Sequence, residues 1–214
     1  MYTTVIFDLD GTLLNTLDDL ADSVNFALAT YGLPTHTTEK VCAFVGNGMQ
    51  NLMQLAAGKQ DKVDQDELLA TFKAHYKKHC KDKTKPYDGI IDALEELHAA
   101  GYKFAVASNK YQEGTEQLVE KFFGKYGFVS ILGQREGKPI KPDPLIVSEA
   151  MDGLPGVKLD EVVYCGDSDV DMQTGLGAGV RTIGVTWGFR TREELAAYKP
   201  YALIDHPREI ADKL

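Results

Sequence analysis

Apolar and polar positions along the chain alternate between two rhythms. Short apolar runs rich in β-branched and aromatic residues occur at Tyr2–Leu9, Lys103–Ala107, Val129–Leu132, Val162–Cys165 and Thr182–Thr186. Each is strand-length and flanked by polar or turn-forming residues, which predicts buried strands. Between them, Ile90–Ala100, Thr115–Phe123, Pro144–Met151 and Asp169–Leu176 place apolar residues at helical spacing. Continuous apolar strands alternating with helices predict a Rossmann-like α/β core, a parallel sheet with helices on both faces. A weaker strand at Tyr201–Ile204 and a last helix from Pro207 extend the pattern.

The segment between the first two of these strands breaks the alternation. Asp18–Tyr31, Thr38–Phe44, Met49–Ala57 and Gln65–Cys80 all carry helical periodicity, and no convincing strand lies among them. This predicts a small all-helical cap domain, residues 16–82, inserted after the first strand of a core made of residues 1–15 and 83–214. The joints fall near Leu14–Thr16 and Lys83–Tyr87. Two linkers would let the insert hinge as a lid.

Composition narrows the partners. The chain has 214 residues, with 23 Lys and Arg against 32 Asp and Glu, a net charge of -9. That balance argues against nucleic acid or an anionic membrane, which attract clustered Lys and Arg, but it leaves a small anion in a local pocket open. No apolar run approaches the ~18–20 residues of a membrane span. The N-terminus lacks the basic flank and cleavage site of a secretory leader. Three scattered cysteines, Cys42, Cys80 and Cys165, suggest reduced thiols in a cytoplasmic protein. The basic, aromatic stretch Phe72–Lys81 reads as a solvated helix end, with Lys near the negative pole of the helix dipole. Lys110, Arg135 and Arg190 are candidate rim cations, each better read as a solvated surface charge, and the five histidines read as surface groups.

Candidate chemistry gathers at the carboxyl ends of the predicted strands, where open parallel sheets bind ligands. The first strand ends in Asp8-Leu9-Asp10-Gly11-Thr12, with both carboxylates directed to one side. The next core strand ends in Ser108-Asn109, Lys141 sits in the loop Ile140–Pro144, and Cys165 precedes Gly166-Asp167-Ser168-Asp169-Val170-Asp171. Clustered carboxylates repel unless a cation offsets them. All-oxygen donors suit Mg²⁺. A hydroxyl, backbone N–H groups and a lysine complete the equipment for phosphoryl transfer. Asp169 reads as a helix cap or solvated acid. Gly46-Asn47-Gly48 in the insert precedes a helix and is a candidate substrate-contacting loop. Gly175–Gly179 follows a helix, so tight helix termination describes it better than a dinucleotide site.

With these four clusters in this order, the chain resembles the haloacid dehalogenase superfamily with a helical cap. The resemblance implies that Asp8 is a nucleophile forming an aspartyl-phosphate and that Asp10 is the general acid and base. It implies that Thr12, Ser108, Asn109 and Lys141 bind the phosphoryl group, and that Lys141 neutralises charge beside Asp8. Mg²⁺ would be held by Asp8, Asp10 through its carbonyl, Asp167, and Asp171 directly or through water. Asp10 favours phosphatase over dehalogenase chemistry, because a carbon–halogen bond leaves no alkoxide to protonate. Phe44–Gly48, Gly133–Arg135 with Lys141–Pro144, and Val185–Gly188 are similar to segments of phosphoglycolate phosphatases. Asn15 stands where many relatives carry Asp. The implied protein is a cytoplasmic Mg²⁺-dependent phosphatase of a small phosphorylated metabolite, monomeric or homodimeric. Pyrophosphate, other sugar phosphates, nucleotides, a phosphomutase and a catalytically silent relative stay open as alternatives.

Overall fold

The computed structural model describes residues 2–60 and 62–214. The chain runs through β1 (Thr4–Phe7), β2 (Leu14–Asn15), α1 (Leu17–Thr30), α2 (Thr38–Cys42), α3 (Gly48–Ala57) and α4 (Gln65–His79). It continues through β3 (Lys85–Pro86), α5 (Ile90–Ala99), β4 (Lys103–Tyr111), α6 (Gln112–Phe123), β5 (Ser130–Gln134) and α7 (Leu145–Asp152). β6 (Val162–Gly166), α8 (Asp169–Ala178), β7 (Arg181–Val185), α9 (Arg192–Ala196), β8 (Ala202–Ile204) and a 3₁₀ turn at Pro207–Lys213 complete it.

Six strands form one parallel sheet in the order β5-β4-β1-β6-β7-β8. The side-chain period of two sorts its residues between two apolar layers. Val5, Phe7, Phe104, Val106, Val163 and Cys165 pack with Leu94 of α5 and Leu118 of α6 on one face. Ile6, Ala105, Ala107, Val162 and Tyr164 pack with Ile146 and Val147 of α7 on the other. Register then decides the chemistry. Phe7 lies opposite both Val106 of β4 and Cys165 of β6, so these three positions stand level in the sheet. The polar residues that follow them converge on one edge.

Helices α1 to α4 enclose a separate apolar cluster, with Leu28, Val41, Leu52, Met53, Leu68 and Phe72 buried in it. Local capping supports the helical reading: Asp64 accepts from the N–H groups of Asp66 and Glu67 at the start of α4, and Thr37 caps α2. The joints hold more structure than their composition suggests. Leu14–Asn15 pair antiparallel with Lys85–Pro86. Buried Asp19 of α1 accepts from Lys83 N, Thr84 N and Thr84 Oγ1 at 2.8–3.1 Å. Both connections are thereby clamped together at the base of the helical segment.

Several expectations shift. β1 stops at Phe7 because Leu9 turns the chain, its carbonyl accepting from Thr12, Leu13 and Leu14 N. β4 runs on to Tyr111, four residues beyond Ala107, the terminal helix is a 3₁₀ turn, and α9 was not anticipated. The stretch Phe72–Lys81 is not wholly solvated: Phe72, Tyr76 and Cys80 are buried while the lysines face outward. His75 and His79 stand one helical turn apart and stack at 4.4 Å between ring centroids. His79 pairs with Asp82 at 2.8 Å. Among the described residues no helix is long and apolar enough to cross a membrane.

Candidate active site

The turn after β1 exists to bring backbone against Asp167. Gly11 has φ +90°, and a Cβ there would lie 2.3 Å from Asp167 Oδ2. A Cβ on Gly188 would lie 2.3 Å from Asp167 Cβ. Glycine is needed at both positions for close approach, and at Gly11 for the left-handed backbone as well. Within this clasp Asp167 accepts from Thr12 Oγ1 and from Phe189 N, each at 2.8 Å. Thr12, expected to bind phosphate, instead directs its hydroxyl to Asp167. Burial, reinforced by the charges of Asp171 and Asp8, pushes the Asp167 carboxyl well above the usual carboxylate range.

Lys141 is buried among carboxylates. Its Nζ lies 2.6 Å from Asp171 Oδ1, 2.9 Å from Asp8 Oδ1 and 3.1 Å from the Tyr164 hydroxyl. Burial works against the ammonium, but Asp171 and Asp8 outweigh it and hold Lys141 above its ordinary value, so it is charged. Asp171 is the more committed partner. Its second oxygen accepts from Ser168 N at 3.0 Å and Ser168 Oγ at 2.6 Å, forming the cap of α8. Burial raises Asp8 to about 6; Lys141 pulls it down and Asp171 pushes it up.

The carboxylates of Asp8, Asp167 and Asp171 each bring an oxygen within 4.8 Å of the others. One ammonium cannot balance three such groups. Asp8 Oδ1 is buried and receives no hydrogen bond among the described residues, because Lys141 Nζ, though close, lies off hydrogen-bond geometry. An oxygen-only cluster with an orphaned acceptor fits a hard divalent cation. Asp8 is the freest donor; Asp167 accepts one neutral donor on each oxygen, whereas Asp171 is bound to the Lys141 ammonium and twice to Ser168.

The end of β4 supplies the opposite wall. Ser108 is buried and faces the cleft. Asn109, also expected to bind phosphate, acts as a strut: Nδ2 donates to Gly46 O at 2.8 Å and to Lys141 O at 3.0 Å, while Oδ1 accepts from Lys141 N at 2.8 Å. It ties the Lys141 loop to the Gly46–Gly48 loop. Gly46 and Gly48 line the cleft, whereas the Asn47 side chain caps nothing and does not border it.

Three cations read as surface charges have fixed partners. Lys110 is buried, its Nζ 3.0 Å from each oxygen of Asp10 and 2.5 Å from the Tyr76 hydroxyl. Its spacing from Ser108 was the available signal, since residues two apart on a strand face the same side. Arg190 donates to Val45 O at 2.8 Å, and its Nε lies 3.5 Å from Asp169. Asp169 is therefore paired, not simply solvated. Arg135 pairs with Glu149. The cleft thus has a charged floor of Asp8, Asp10, Lys110, Lys141 and Asp167 and an apolar roof of Leu20, Val45, Met49 and Leu52 from the helical segment.

A parallel sheet with an acidic, lysine-bridged cluster at the carboxyl edge and a helical roof defines a hydrolase class, and the chain belongs to the haloacid dehalogenase-like hydrolases, whose family model matches residues 5–185. Among its relatives, a phosphoglycolate phosphatase of Mesorhizobium japonicum is 34% identical over 94% of this chain and 90% of its own. Pyrophosphatase PpaX of Anoxybacillus flavithermus is 29% identical over 94% and 92%. A crystal structure from Lactobacillus delbrueckii, assigned provisionally to the phosphoglycolate phosphatases, matches with TM-score 0.89 and 31% identity, over 99% of this chain and 97% of that one.

Proposed function

We propose that the protein is a Mg²⁺-dependent phosphatase of small phosphomonoesters, phosphoglycolate first among them. The observation that carries the reading is Asp8. It is a buried carboxylate with one unbonded oxygen, flanked by Lys141 and sharing a cleft with Ser108 and Asp10. In the first step an Asp8 oxygen attacks phosphorus, the ester P–O bond breaks, and Asp10 gives a proton to the departing alkoxide. In the second, Asp10 takes a proton from water as that water attacks the aspartyl-phosphate. The bond to Asp8 then breaks, and inorganic phosphate leaves. Ser108 donates to a phosphoryl oxygen, and Lys141 offsets charge between that group and Asp8. Asp171 orients Lys141 and Ser168. Asn109 and Thr12 hold the loops that carry Lys141 and Asp167.

Asp8, Asp167 and the Asp10 carbonyl would hold Mg²⁺, with Asp171 acting through water. When bound, the ion offsets the carboxylates and polarises the phosphoryl group. Residues 16–82 serve as a lid over the core of residues 1–15 and 83–214, and its apolar roof excludes water from the phosphoryl group. The ligand is a small phosphorylated metabolite and the setting the cytoplasm.

Phosphate release across a panel of small phosphomonoesters with Mg²⁺ tests this. Phosphoglycolate should lead, and Asp8→Asn should abolish turnover. A flat profile overturns the phosphoglycolate assignment, and no release from any ester overturns the hydrolase reading. Pyrophosphate is the second reading, favoured by the similarity to a pyrophosphatase.

A further inference from the structure

The chemistry above gives no part to the side chains of the connection from β7 to α9. Residues 186–191 belong to no helix or strand, yet they touch both the core and the helical segment. Toward the core, Phe189 N donates to Asp167 Oδ2 at 2.8 Å. The Trp187 indole N–H donates at 3.0 Å to the carbonyl of Thr12, whose hydroxyl is the other donor on Asp167. Toward the lid, the half-buried Phe189 packs against the apolar cluster of α1 to α4, and Arg190 Nη2 donates to Val45 O at 2.8 Å. We propose that Phe189 is a positioning residue for the metal: its ring, seated on the lid, sets its own backbone N–H against Asp167, so that Mg²⁺ binding and lid closure strengthen each other. The proposal rests on the metal-dependent phosphatase reading and goes beyond it, since that reading lets lid and metal act independently.

The backbone leaves this connection dependent on its seats. No backbone–backbone hydrogen bond holds residues 187–190 among the described residues. A loop without ladder bonds takes its place from what its side chains rest on. Here those are the Thr12 carbonyl for Trp187, the helical cluster for Phe189, and the Val45 carbonyl with Asp169 for Arg190. Phe189 and Arg190 thus follow the lid, and Trp187 follows the core.

Contact distance makes the link tight. A Cβ on Gly188 would lie 2.3 Å from Asp167 Cβ and 2.4 Å from Gly11 O, so the connection runs against the metal ligand itself. It cannot follow a departing lid and keep its N–H on Asp167. An Asp167 that loses this donor keeps only Thr12, and Oδ2 is free to turn. Donors that hold a metal ligand typically carry about 10–100-fold in metal affinity. The converse holds by linkage: Asp167 fixed on Mg²⁺ holds Phe189 in place, and Phe189 holds the lid.

The lid end of the link is the loop that borders the cleft. Arg190 grips Val45 O, and Asn109 donates to the next carbonyl, Gly46 O, at 2.8 Å. Val45, Gly46 and Phe189 all line the cleft. Shutting the lid and loading the metal therefore shape the same wall.

The test uses the full chain and Mg²⁺ alone. The donor to Asp167 is a backbone N–H, so Phe189→Ala keeps the donor and removes only its seat. By calorimetric titration Phe189→Ala should bind Mg²⁺ ~10-fold more weakly, and Phe189→Leu, which refills the seat, should stay within ~3-fold of the wild type. By hydrogen exchange, Mg²⁺ should slow the wild-type amides of residues 41–48 by ~5-fold or more, beyond any slowing in α5 of the core. Phe189→Ala should cut that response to below ~2-fold. Unchanged Mg²⁺ affinity in Phe189→Ala overturns the proposal. So do wild-type amides at 41–48 that ignore Mg²⁺, or exchange in the variant raised equally with and without Mg²⁺, the outcome if the ring only packs. Should Phe189→Ala fail to fold, the wild-type response and Arg190→Ala, expected to bind Mg²⁺ several-fold more weakly, decide. A wild type that binds no Mg²⁺ is the distinct failure of the metal reading, and takes the proposal with it.

Discussion

Replacing the nucleophile should stabilise the metal-free protein. Asp8 is an ionised carboxylate held in a buried cluster, and burial raises it from 3.8 to about 6 even after Lys141 has drawn it down. That difference corresponds to ~3 kcal/mol of ionisation free energy that the folded state bears at neutral pH. Asn at position 8 removes the charge and keeps the shape. Lys141 retains Asp171 at 2.6 Å and Tyr164 at 3.1 Å. The new amide needs a partner, at ~1–2 kcal/mol if it finds none. The net expectation is that Asp8→Asn gains about 1–3 kcal/mol in EDTA at pH 7.5, at about 2–4 °C in Tm per kcal/mol for a chain of this size.

The sign with pH follows from the direction of the shift. A carboxyl raised on folding contributes its stability fully below its unfolded value, near pH 4, and that contribution is lost as pH rises through about 6. The gap between Asp8→Asn and the wild type should be small near pH 4, open between pH 4 and 6, and level off above. Thermal or urea unfolding of both proteins across that range, with EDTA, reads the gap directly. Mg²⁺ should then narrow or reverse the order, because a ligand stabilises only the form that binds it. A variant less stable than the wild type in EDTA at pH 7.5, or a gap that does not shrink toward pH 4, refutes the reasoning.

Thr12→Val removes the 2.8 Å donor on Asp167 and should weaken Mg²⁺ binding about 10–100-fold by calorimetric titration. Gly11→Ala places a Cβ 2.3 Å from Asp167 Oδ2 at φ +90°; unfolding experiments should show a loss of ~2 kcal/mol or more, together with loss of metal binding. Arg190→Ala removes the bond to Val45 O and should speed amide exchange in residues 41–48 about 10-fold, with KM rising more than kcat falls.

Much of the site was legible because its residues sit at the ends of apolar runs. Asp8 and Asp167 each follow a buried strand, Ser108 lies toward the end of another, and level register between β1, β4 and β6 places them together. Lys141 and Asp171 follow from the same ordering. Roles that depend on which distant atom a side chain reaches were not legible. Thr12 bonds a residue 155 positions away, and no local pattern reports that choice. Asn109 carries donors and an acceptor suited to either a phosphate or a backbone, and only the folded loops show that backbone takes them. Lys110 was misread because a charged residue at a strand end defaults to solvent. The Leu14–Asn15 and Lys85–Pro86 pair is too short to show a period. α9 was readable after all: Thr191 and Glu194 form a capping box.

The central claim is that Asp8 carries the phosphoryl group between substrate and water. Acid-quenching the enzyme during turnover of phosphoglycolate with Mg²⁺, followed by peptide mass spectrometry, tests it most directly. The account predicts one phosphoryl group on Asp8 in the wild type and none in Asp8→Asn, which should also release no phosphate. Phosphate release by Asp8→Asn at a rate near the wild type, or a phosphoryl group trapped on another residue, would contradict it.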